Sequence, residues 1–347
     1  MDRQTILVIR LSAMGDVVLT VPLVREAARY RKVVVVTRPL FTNYFLGIDN
    51  VILVSADTSG RHSGLAGIFR LYKDIESTEK VDLVVDLHNV IRSRILSAIY
   101  RFSGRKIFRI DKGRKAKKRF IRSRTQDKLI HTTERYKRVF YNAGIKIGDL
   151  LIPSFTFSSE EISFANKYLS DRKYENRKWI AVAPFAMHPT KQWSVNNIRE
   201  LLEDLDQTEQ AHTFLFGGFN EKKRLIDITD GLGSVSVLAG EFSIRQELSL
   251  ISMMDVMISM DSSNLHMAAI SGIKTISLWG GTHPGIGFGP LGSQGHSIIQ
   301  IPLEELPCRP CTIYGKGNCK LKEEKFKCLN YIKPYMVIDE LRRMDVI

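Results

Sequence analysis

Two series of short, continuous apolar segments, each followed by a turn and a helical pattern, constrain this chain more than any other feature. A continuous apolar run is typical of a strand buried on both faces in a parallel sheet, whereas a strand with one wet face alternates. Repeated strand–helix alternation therefore predicts an α/β fold built on two mostly parallel sheets. The segments cover residues 5–10, 33–36, 51–54 and 81–86, and then 179–183, 212–216, 235–238, 255–259 and 274–279.

The pattern breaks near residues 150–154, between the two series. The length of 347 residues agrees with two domains. We therefore expect a first domain over residues 1–155, a second over 156–330, and a C-terminal helix over 331–347 that packs back on the first. Parallel sheets bind ligands at the carboxyl ends of their strands, so we expect the site in a cleft between the halves.

Composition excludes several classes of protein. Hydrophobic residues make up 44% of the chain and charged residues 25%, which fits neither disorder nor a disulfide scaffold. No apolar run approaches the ~20 residues that span a bilayer. The first apolar run, residues 6–9, is too short for a secretory signal. We therefore expect a cytoplasmic protein.

The net charge of +14 is concentrated in a basic segment, residues 101–128, where thirteen cations face only two carboxylates. Such a surface attracts polyanions: nucleic acid, an anionic membrane or a phosphorylated glycolipid. Composition alone does not choose among these three polyanions. The alternative is that the segment binds no partner and is a solvated surface that serves solubility. The cations are Arg101, Arg105, Lys106, Arg109, Lys112, Arg114, Lys115, Lys117, Lys118, Arg119, Arg122, Arg124 and Lys128.

The first strand–helix turn contains Asp16, ahead of a helical pattern over residues 17–30. The chain has neither the G-x-G-x-x-G turn of a dinucleotide site nor a P-loop, which disfavours nicotinamide enzymes and P-loop NTPases. Asp16 is a candidate general base at the carboxyl end of the first strand. The alternative is that it only caps the helix.

Two later turns could hold an anionic ligand. Thr190 and Lys191 follow a strand, and a lysine there suits a diphosphate, although an exposed loop lysine is the alternative. Asp261 follows another strand, with Ser262, Ser263 and His266 at the start of the next helix. A helix N-terminus with two hydroxyls favours an anion site. Alternatively, Asp261 caps the helix and His266 packs in the core.

A fourth turn, Gly217-Gly218, is followed by Glu221, an arrangement suited to a ribose but weak alone. Taken together, residues 6–22, 189–193 and 261–269 resemble the heptosyltransferases of lipopolysaccharide core assembly, glycosyltransferase family 9. The order and spacing match along nearly the whole chain. The tail, residues 308–332, is similar to the cysteine segment of some of these enzymes.

The resemblance implies a GT-B architecture, two Rossmann-like domains with a cleft, and inverting transfer from a nucleotide diphosphate sugar without a metal cofactor. It implies that Asp16 is the base and that Lys191 stabilises the leaving diphosphate. The implied donor site consists of Thr190, Lys191, Glu221, Asp261, Ser262, Ser263 and His266. The acceptor site is expected to include Ser12, Gly15, Arg61 and His88.

The implied donor is ADP-heptose, and the implied acceptor is an anionic glycolipid at the cytoplasmic face of the inner membrane, contacted through the basic segment. No nucleic acid partner is expected. The chain departs from the family at Ser263, usually glycine, and at Ala13, often serine. Another nucleotide-sugar donor therefore stays open. A GT-B sugar epimerase and a nucleic-acid-binding protein are the alternatives from other classes.

The four cysteines follow the spacing C-x2-C-x7-C-x8-C. Four thiolates at such spacing could bind a structural zinc, and a cytoplasmic location argues against disulfides. The two long gaps are not a standard zinc-knuckle pattern, so free or redox-active thiols are the alternative. The residues concerned are Cys308, Cys311, Cys319 and Cys328.

Overall fold

The computed structural model describes residues 4–123, 127–170, 177–292 and 295–347. The chain divides into two compact units, one formed by Met1–Arg114 and Ile130–Phe157, the other by Lys115–Leu129 and Ser158–Ile347. Compared with the expected boundary at residue 155, the second unit also takes in a stretch from the middle of the first. Arg124 of the basic segment lies outside the described residues.

The first unit contains a five-stranded parallel sheet in the order β3-β2-β1-β4-β5. Its central strand is fully buried, as its continuous apolar sequence predicts. The strands are β1 (Thr5–Ile9), β2 (Lys32–Thr37), β3 (Val51–Ser55), β4 (Leu83–Asp86) and β5 (Lys106–Arg109). The helices over this part of the chain are α1 (Met14–Val18), α2 (Val21–Ala28), α3 (Gly64–Thr78), α4 (Ile91–Phe102), α5 (Arg114–Ser123) and α6 (Thr132–Asn142).

The second unit contains a six-stranded parallel sheet in the order β11-β10-β9-β6-β7-β8. The predicted α/β fold with two parallel sheets is confirmed. The strands are β6 (Lys178–Ala183), β7 (Ala211–Leu215), β8 (Val235–Val237), β9 (Val256–Met260), β10 (Lys274–Trp279) and β11 (His296–Gln300). The helices are α7 (Ser159–Ser170), α8 (Val195–Gln207), α9 (Lys222–Thr229), α10 (Ile244–Ile251), α11 (Ser263–Ser271), α12 (Lys327–Asn330) and α13 (Pro334–Arg343).

The C-terminal helix α13 joins the core of the second unit. Val337 and Leu341 are fully buried in the same apolar cluster as Ile198 of α8. The indole of Trp193 donates to the carbonyl of Ile332, just before α13, at 2.9 Å. The helix therefore packs within the second unit, and its expected packing on the first domain stays a prediction.

Two strands and one helix break differ from the sequence pattern. The strands β5 and β11 form sheet edges and have half-exposed sequences, so neither contains the continuous apolar run of a central strand. The single helix expected over residues 17–30 is two helices, because Pro22 lies in the first turn of α2 and has no backbone N–H to continue the preceding turns. The hydroxyl of Thr20 donates to the carbonyl of Val17 at the break.

Parallel pairing sets where functional loops can lie. In the first sheet, the loops after β1 and β4 leave from the same edge, because all strands of a parallel sheet point the same way. In the second sheet, the loops after β6, β9 and β10 leave from one edge, since these strands are neighbours. Among the described residues, no helix is long and apolar enough to cross a bilayer.

The buried guanidinium of Arg309 connects the loop after β10 with the end of β11 in the second sheet. The Arg309 side chain is 1% exposed, and its described acceptors are oxygens of neighbouring loops and strands. It donates to the carbonyl of Gly280 at 2.6 Å, to the carbonyl of Thr282 at 3.2 Å and to the side chain of Gln300 at 3.0 Å. It also donates to the carbonyl of Ile301. Burial lowers its pKa, although an arginine stays protonated at physiological pH.

We expect Arg309→Met to lower the free energy of unfolding of the second unit by about 3 kcal/mol or more. The substitution leaves several buried oxygens without donors, and each unsatisfied group costs ~1–3 kcal/mol. Urea unfolding followed by tryptophan fluorescence measures the change. The control is Arg342→Met, an exposed arginine of α13, for which we expect a change within ~0.5 kcal/mol. Equal, small effects of the two substitutions would contradict a structural role for Arg309.

Candidate functional site

In the first unit, Asp16 is held by a nearby arginine and by a tyrosine from a distant helix. Arg10, the residue after β1, places Nη2 2.5 Å from Oδ2 of Asp16. The hydroxyl of Tyr136, on α6, donates to Oδ1 at 3.2 Å. The N-cap of α1 is Ala13, with no side-chain cap bond, so Asp16 does not serve as the cap. Its side chain stays 25% exposed, which leaves the carboxylate accessible to a ligand.

His88 lies beside this carboxylate, in the loop after β4. Its Nε2 is 3.4 Å from the hydroxyl of Ser12, so two predicted acceptor residues come together. Burial is the main cause that lowers the pKa of His88 to about 3, and the charges of Arg10 and Lys112 lower it further. His88 is therefore neutral at neutral pH and does not compete with Arg10 for the charge of Asp16.

The buried carboxylate of Asp86 organises the loop that carries His88. It accepts the backbone N–H groups of His88 and Asn89 at 3.0 and 2.8 Å, and it pairs with Arg109 of β5 at 3.1 Å. Burial, followed by the charges of Arg10 and Arg114, lowers the pKa of Lys112, which is half-buried nearby. The edge of the first sheet is therefore rich in cations around Asp16.

Arg61 belongs to a different cluster of the first unit. Its Nε and Nη2 donate to both oxygens of Asp74 on α3, at 2.9 and 2.8 Å. His62 also contacts Asp74, and these hydrogen bonds lower the pKa of Asp74 to about 2. The fourth predicted acceptor residue, Gly15, lies in the first turn of α1, directly before Asp16. Its role, like that of Arg61, stays a prediction.

In the second unit, three loops converge on Asp261. Lys191, after β6, places Nζ 2.7 Å from Oδ2 of Asp261 and 3.3 Å from its carbonyl oxygen. Thr282, after β10, donates its hydroxyl to the same carboxylate oxygen at 2.7 Å. The side chains of Lys191 and Asp261 are 15% and 9% exposed. Lys191 is therefore not an exposed loop lysine, and Asp261 does not cap α11, whose N-cap is Ser262.

Thr190 is buried and fixed by its neighbours. Its hydroxyl donates to the carbonyl of Gly315 at 2.6 Å, and its own carbonyl accepts the N–H of Gly281 at 2.9 Å. Gly315 lies against the methylene groups of Lys191, where an added Cβ would come within 2.6 Å of Cε. The chain around Gly315 therefore packs directly on the candidate phosphate-binding lysine.

The remaining predicted donor residues lie in the loops and the helix start that follow the strands at the same edge. The hydroxyl of Ser262 is 3.1 Å from that of Ser259, while Ser263 begins α11 with its side chain partly exposed. His266 is 5% exposed within α11. The carboxylate of Glu221 accepts the N–H of Gly218 at 2.7 Å and so closes its own turn.

Three residues of these clusters were missed by the sequence analysis. Arg10 was visible as the charge that ends the first apolar run, and Thr282 as the hydroxyl after the glycine pair that ends β10. In both cases a polar side chain follows the end of an apolar strand, which is the same signal that singled out the other candidate residues. Tyr136 gave no sequence signal, because it lies 120 residues from Asp16.

The cysteine segment packs beside this site but shows no metal centre. All four cysteines are free, and among the described residues no three His, Cys, Asp or Glu side chains come together as metal ligands. Burial raises the pKa of the Cys328 thiol to about 12 and also raises that of Cys311, so both are protonated at neutral pH. The zinc prediction therefore gains no support from the geometry.

Residues 68–317 match glycosyltransferase family 9, the heptosyltransferase family. The chain belongs to this family. The family 9 enzyme is 20% identical over 292 residues to the lipopolysaccharide core heptosyltransferase OpsX of Haemophilus influenzae, covering 81% of this chain and 80% of the relative. The assignment as a glycosyltransferase is confirmed.

Two solved structures share the fold over almost their whole length. The family 9 glycosyl transferase of Veillonella parvula aligns with a TM-score of 0.78 at 20% identity, covering 99% of this chain and 98% of that one. The ADP-heptose lipopolysaccharide heptosyltransferase II of E. coli aligns with a TM-score of 0.71 at 20% identity, covering 98% of both chains. These likenesses support the two-sheet α/β fold of the family 9 enzyme.

We expect the family 9 enzyme to lose stability as the pH falls from about 6 to 4.5, with His88 a measurable cause. An unfolded histidine binds a proton near pH 6.5, whereas folded His88 does so only near pH 3. Between these pH values the unfolded state binds more protons than the folded state. Each unit by which the pH falls therefore lowers the free energy of unfolding by ~1.4 kcal/mol through this group. His88→Gln should flatten the slope by that amount in urea unfolding. A slope unchanged by the substitution, or NMR titration of His88 above pH 5, would contradict the buried neutral state.

Proposed function

We propose that the family 9 enzyme is an inverting glycosyltransferase that moves a heptose from ADP-heptose onto an anionic, lipid-linked lipopolysaccharide core acceptor. The observation that carries the proposal is the half-buried Lys191, fixed by Asp261 beside the N-terminus of α11. That arrangement suits a diphosphate. Heptosyltransferases among the relatives support the choice of sugar. We place the enzyme at the cytoplasmic face of the inner membrane.

In the proposed reaction, Asp16 is the general base. It takes the proton from an acceptor hydroxyl while that oxygen attacks the anomeric carbon, and the bond to the nucleotide diphosphate breaks on the opposite face. Arg10 and Tyr136 each occupy one carboxylate oxygen and fix the direction of the other lone pairs. A carboxylate has about four lone-pair positions, so two partners still leave room for the acceptor.

Lys191 would stabilise the charge that develops on the departing diphosphate. An ammonium group has three N–H donors, and the carboxylate and carbonyl oxygens of Asp261 accept two of them. The third can bind a phosphate oxygen, in a site where burial strengthens the interaction. The backbone N–H groups at the start of α11, with Ser262 and Ser263, would complete the anion site. The proposal needs no metal ion for this step.

The other predicted residues would contact the ribose, the phosphates and the sugar of the donor, or the acceptor. The second carboxylate oxygen of Glu221 is available to accept hydroxyls of the ribose, since Gly218 bonds only the first. Asp261 and Thr190 would lie near the sugar and the phosphates, and His266 beneath them. In the first unit, Ser12, His88 and the cations around Asp16 would bind an anionic acceptor sugar.

A donor other than ADP-heptose is the main alternative, because Ser263 replaces the glycine usual in the family. A GT-B epimerase would convert the donor sugar without an acceptor, which product analysis detects. A nucleic-acid-binding protein would leave Lys191 and Asp261 without a role.

We expect Asp16→Asn to lower kcat for transfer by about 10²–10⁴-fold, since the amide cannot take the proton. The thermal shift caused by the nucleotide diphosphate should be retained, because Asp16 does not belong to the second unit. Asp49→Asn, an exposed aspartate of the first unit, is the matched control. Full turnover of Asp16→Asn would remove the base assignment.

We expect ADP to raise the unfolding midpoint more than UDP, GDP or CMP. A ligand at ~100 times its dissociation constant stabilises the folded state by about 2.7 kcal/mol. Lys191→Met should weaken ADP binding by about 10–100-fold, the range for a hydrogen bond to a charged group. Lys178→Met is the control, because Lys178 pairs with Asp255 near the opposite end of the same strand. A selective UDP or GDP shift would keep the transferase and reject the heptose, while no shift with any nucleotide would reject the donor site.

A further inference from the structure

The basic segment contains one helix, α5, whose charged face the proposed chemistry does not use. Lys115, Lys118, Arg119 and Arg122 are all exposed. Their spacing i, i+3, i+4, i+7 puts them on one face of the helix. The helix contains no acidic residue, and none of the four forms an ion pair with a described carboxylate. Four unpaired like charges within two turns repel one another, so this face costs stability.

The opposite face of α5 packs on other parts of the second unit, to which the helix belongs. Phe120 is 1% exposed and lies against the ring of His283, with 5.4 Å between ring centroids. Lys117 is 3% exposed, with Nζ 4.0 Å from the ring centroid of Phe288 and 5.7 Å from that of Tyr314. A buried ammonium against two aromatic rings is a cation–π contact. The helix is therefore anchored on one side while its cations point away from the protein.

The anchor lies on the loops that build the donor site. His283 directly follows Thr282, which bonds Asp261, and Tyr314 directly precedes Gly315, which packs on Lys191. Tyr314 itself is 44% exposed beside the helix. An exposed tyrosine ring with an apolar body and a polar tip suits the boundary between lipid headgroups and water.

We infer that the exposed face of α5, with Tyr314 at its side, docks on an anionic lipid layer and so anchors the donor-binding unit to that surface. Cations that form no ion pair with a described carboxylate find their counter-charges in the phosphates of the headgroups. The inference rests on the proposed function for its choice of a lipid over a nucleic acid, since α5 has no exposed aromatic side chain for stacking bases. The lipid contact then belongs to the second unit, although the sequence of α5 lies between two stretches of the first unit.

The test is co-sedimentation with vesicles of phosphatidylethanolamine and phosphatidylglycerol at 3:1, compared with vesicles of phosphatidylcholine alone. The full-length protein should bind the anionic vesicles and be released by salt. Each cation near the surface contributes about fivefold to the partition coefficient. The triple variant Lys115→Gln, Lys118→Gln and Arg119→Gln should therefore bind about 100-fold more weakly.

The control is the triple variant Lys80→Gln, Arg138→Gln and Lys167→Gln, which removes the same charge from exposed positions on other elements. We expect it to lose less than fivefold in binding. Both variants should keep the ADP-induced thermal shift, which shows that the donor site is folded. Equal losses in the two variants would mean that net charge alone drives binding and would overturn the inference.

Two further results would also overturn it: no binding of the unmodified protein to anionic vesicles, or tight, α5-dependent binding to duplex or single-stranded nucleic acid instead. Failure of the proposed function gives a different result. In that case the unmodified protein transfers no sugar from any donor to a delipidated, water-soluble core acceptor, whatever the vesicle assay shows.

Discussion

Parallel strand pairing is the constraint on which the rest of this structure depends. A parallel sheet needs a crossover after every strand, and the crossovers cover both faces with helices. A central strand can then be apolar on both faces, as the buried residues 6–9 of β1 are. His88, Lys191, Asp261 and Thr282 follow the carboxyl ends of strands, and Asp16 lies in the first turn of α1, shortly after β1. The candidate chemistry lies there because the loops at the carboxyl ends of parallel strands gather at one edge of each sheet.

Each buried charge near these strand ends has a partner of opposite charge or a set of hydrogen-bond acceptors. Arg10 pairs with Asp16 of the neighbouring helix, Arg109 with Asp86 of the preceding strand, and Lys191 with Asp261 from a distant loop. Arg309 uses carbonyl oxygens instead, which ties the cysteine segment to the strand ends. A fully buried charge without a partner costs several kcal/mol, so such pairing stabilises these loops. Two of these pairs also leave an acceptor or donor position for a ligand, at Asp16 and at Lys191.

The fold was predictable where the sequence pattern is local. Central strands such as 33–36 and 179–183 have continuous apolar runs, and these runs were sufficient to place two parallel sheets. The edge strands β5 and β11 were not recognised, because half-exposed strands lack that run. The membership of α5 and α13 in the second unit was also not predictable. It depends on side chains such as Phe120 and Val337 finding partners far along the chain.

The sequence by itself determined the class of fold, the family resemblance and the loops that carry the candidate residues, because these depend on residue type and spacing along the chain. Only the tertiary structure decided between alternatives at single positions. It separated Asp16 and Asp261 from simple helix caps, brought Tyr136 and Thr282 to them, and tied Arg61 to Asp74. It also left the four cysteines without the geometry of a metal site within the described chain. The reason is physical: a side chain's role depends on its partners and its burial, and long-range packing sets both.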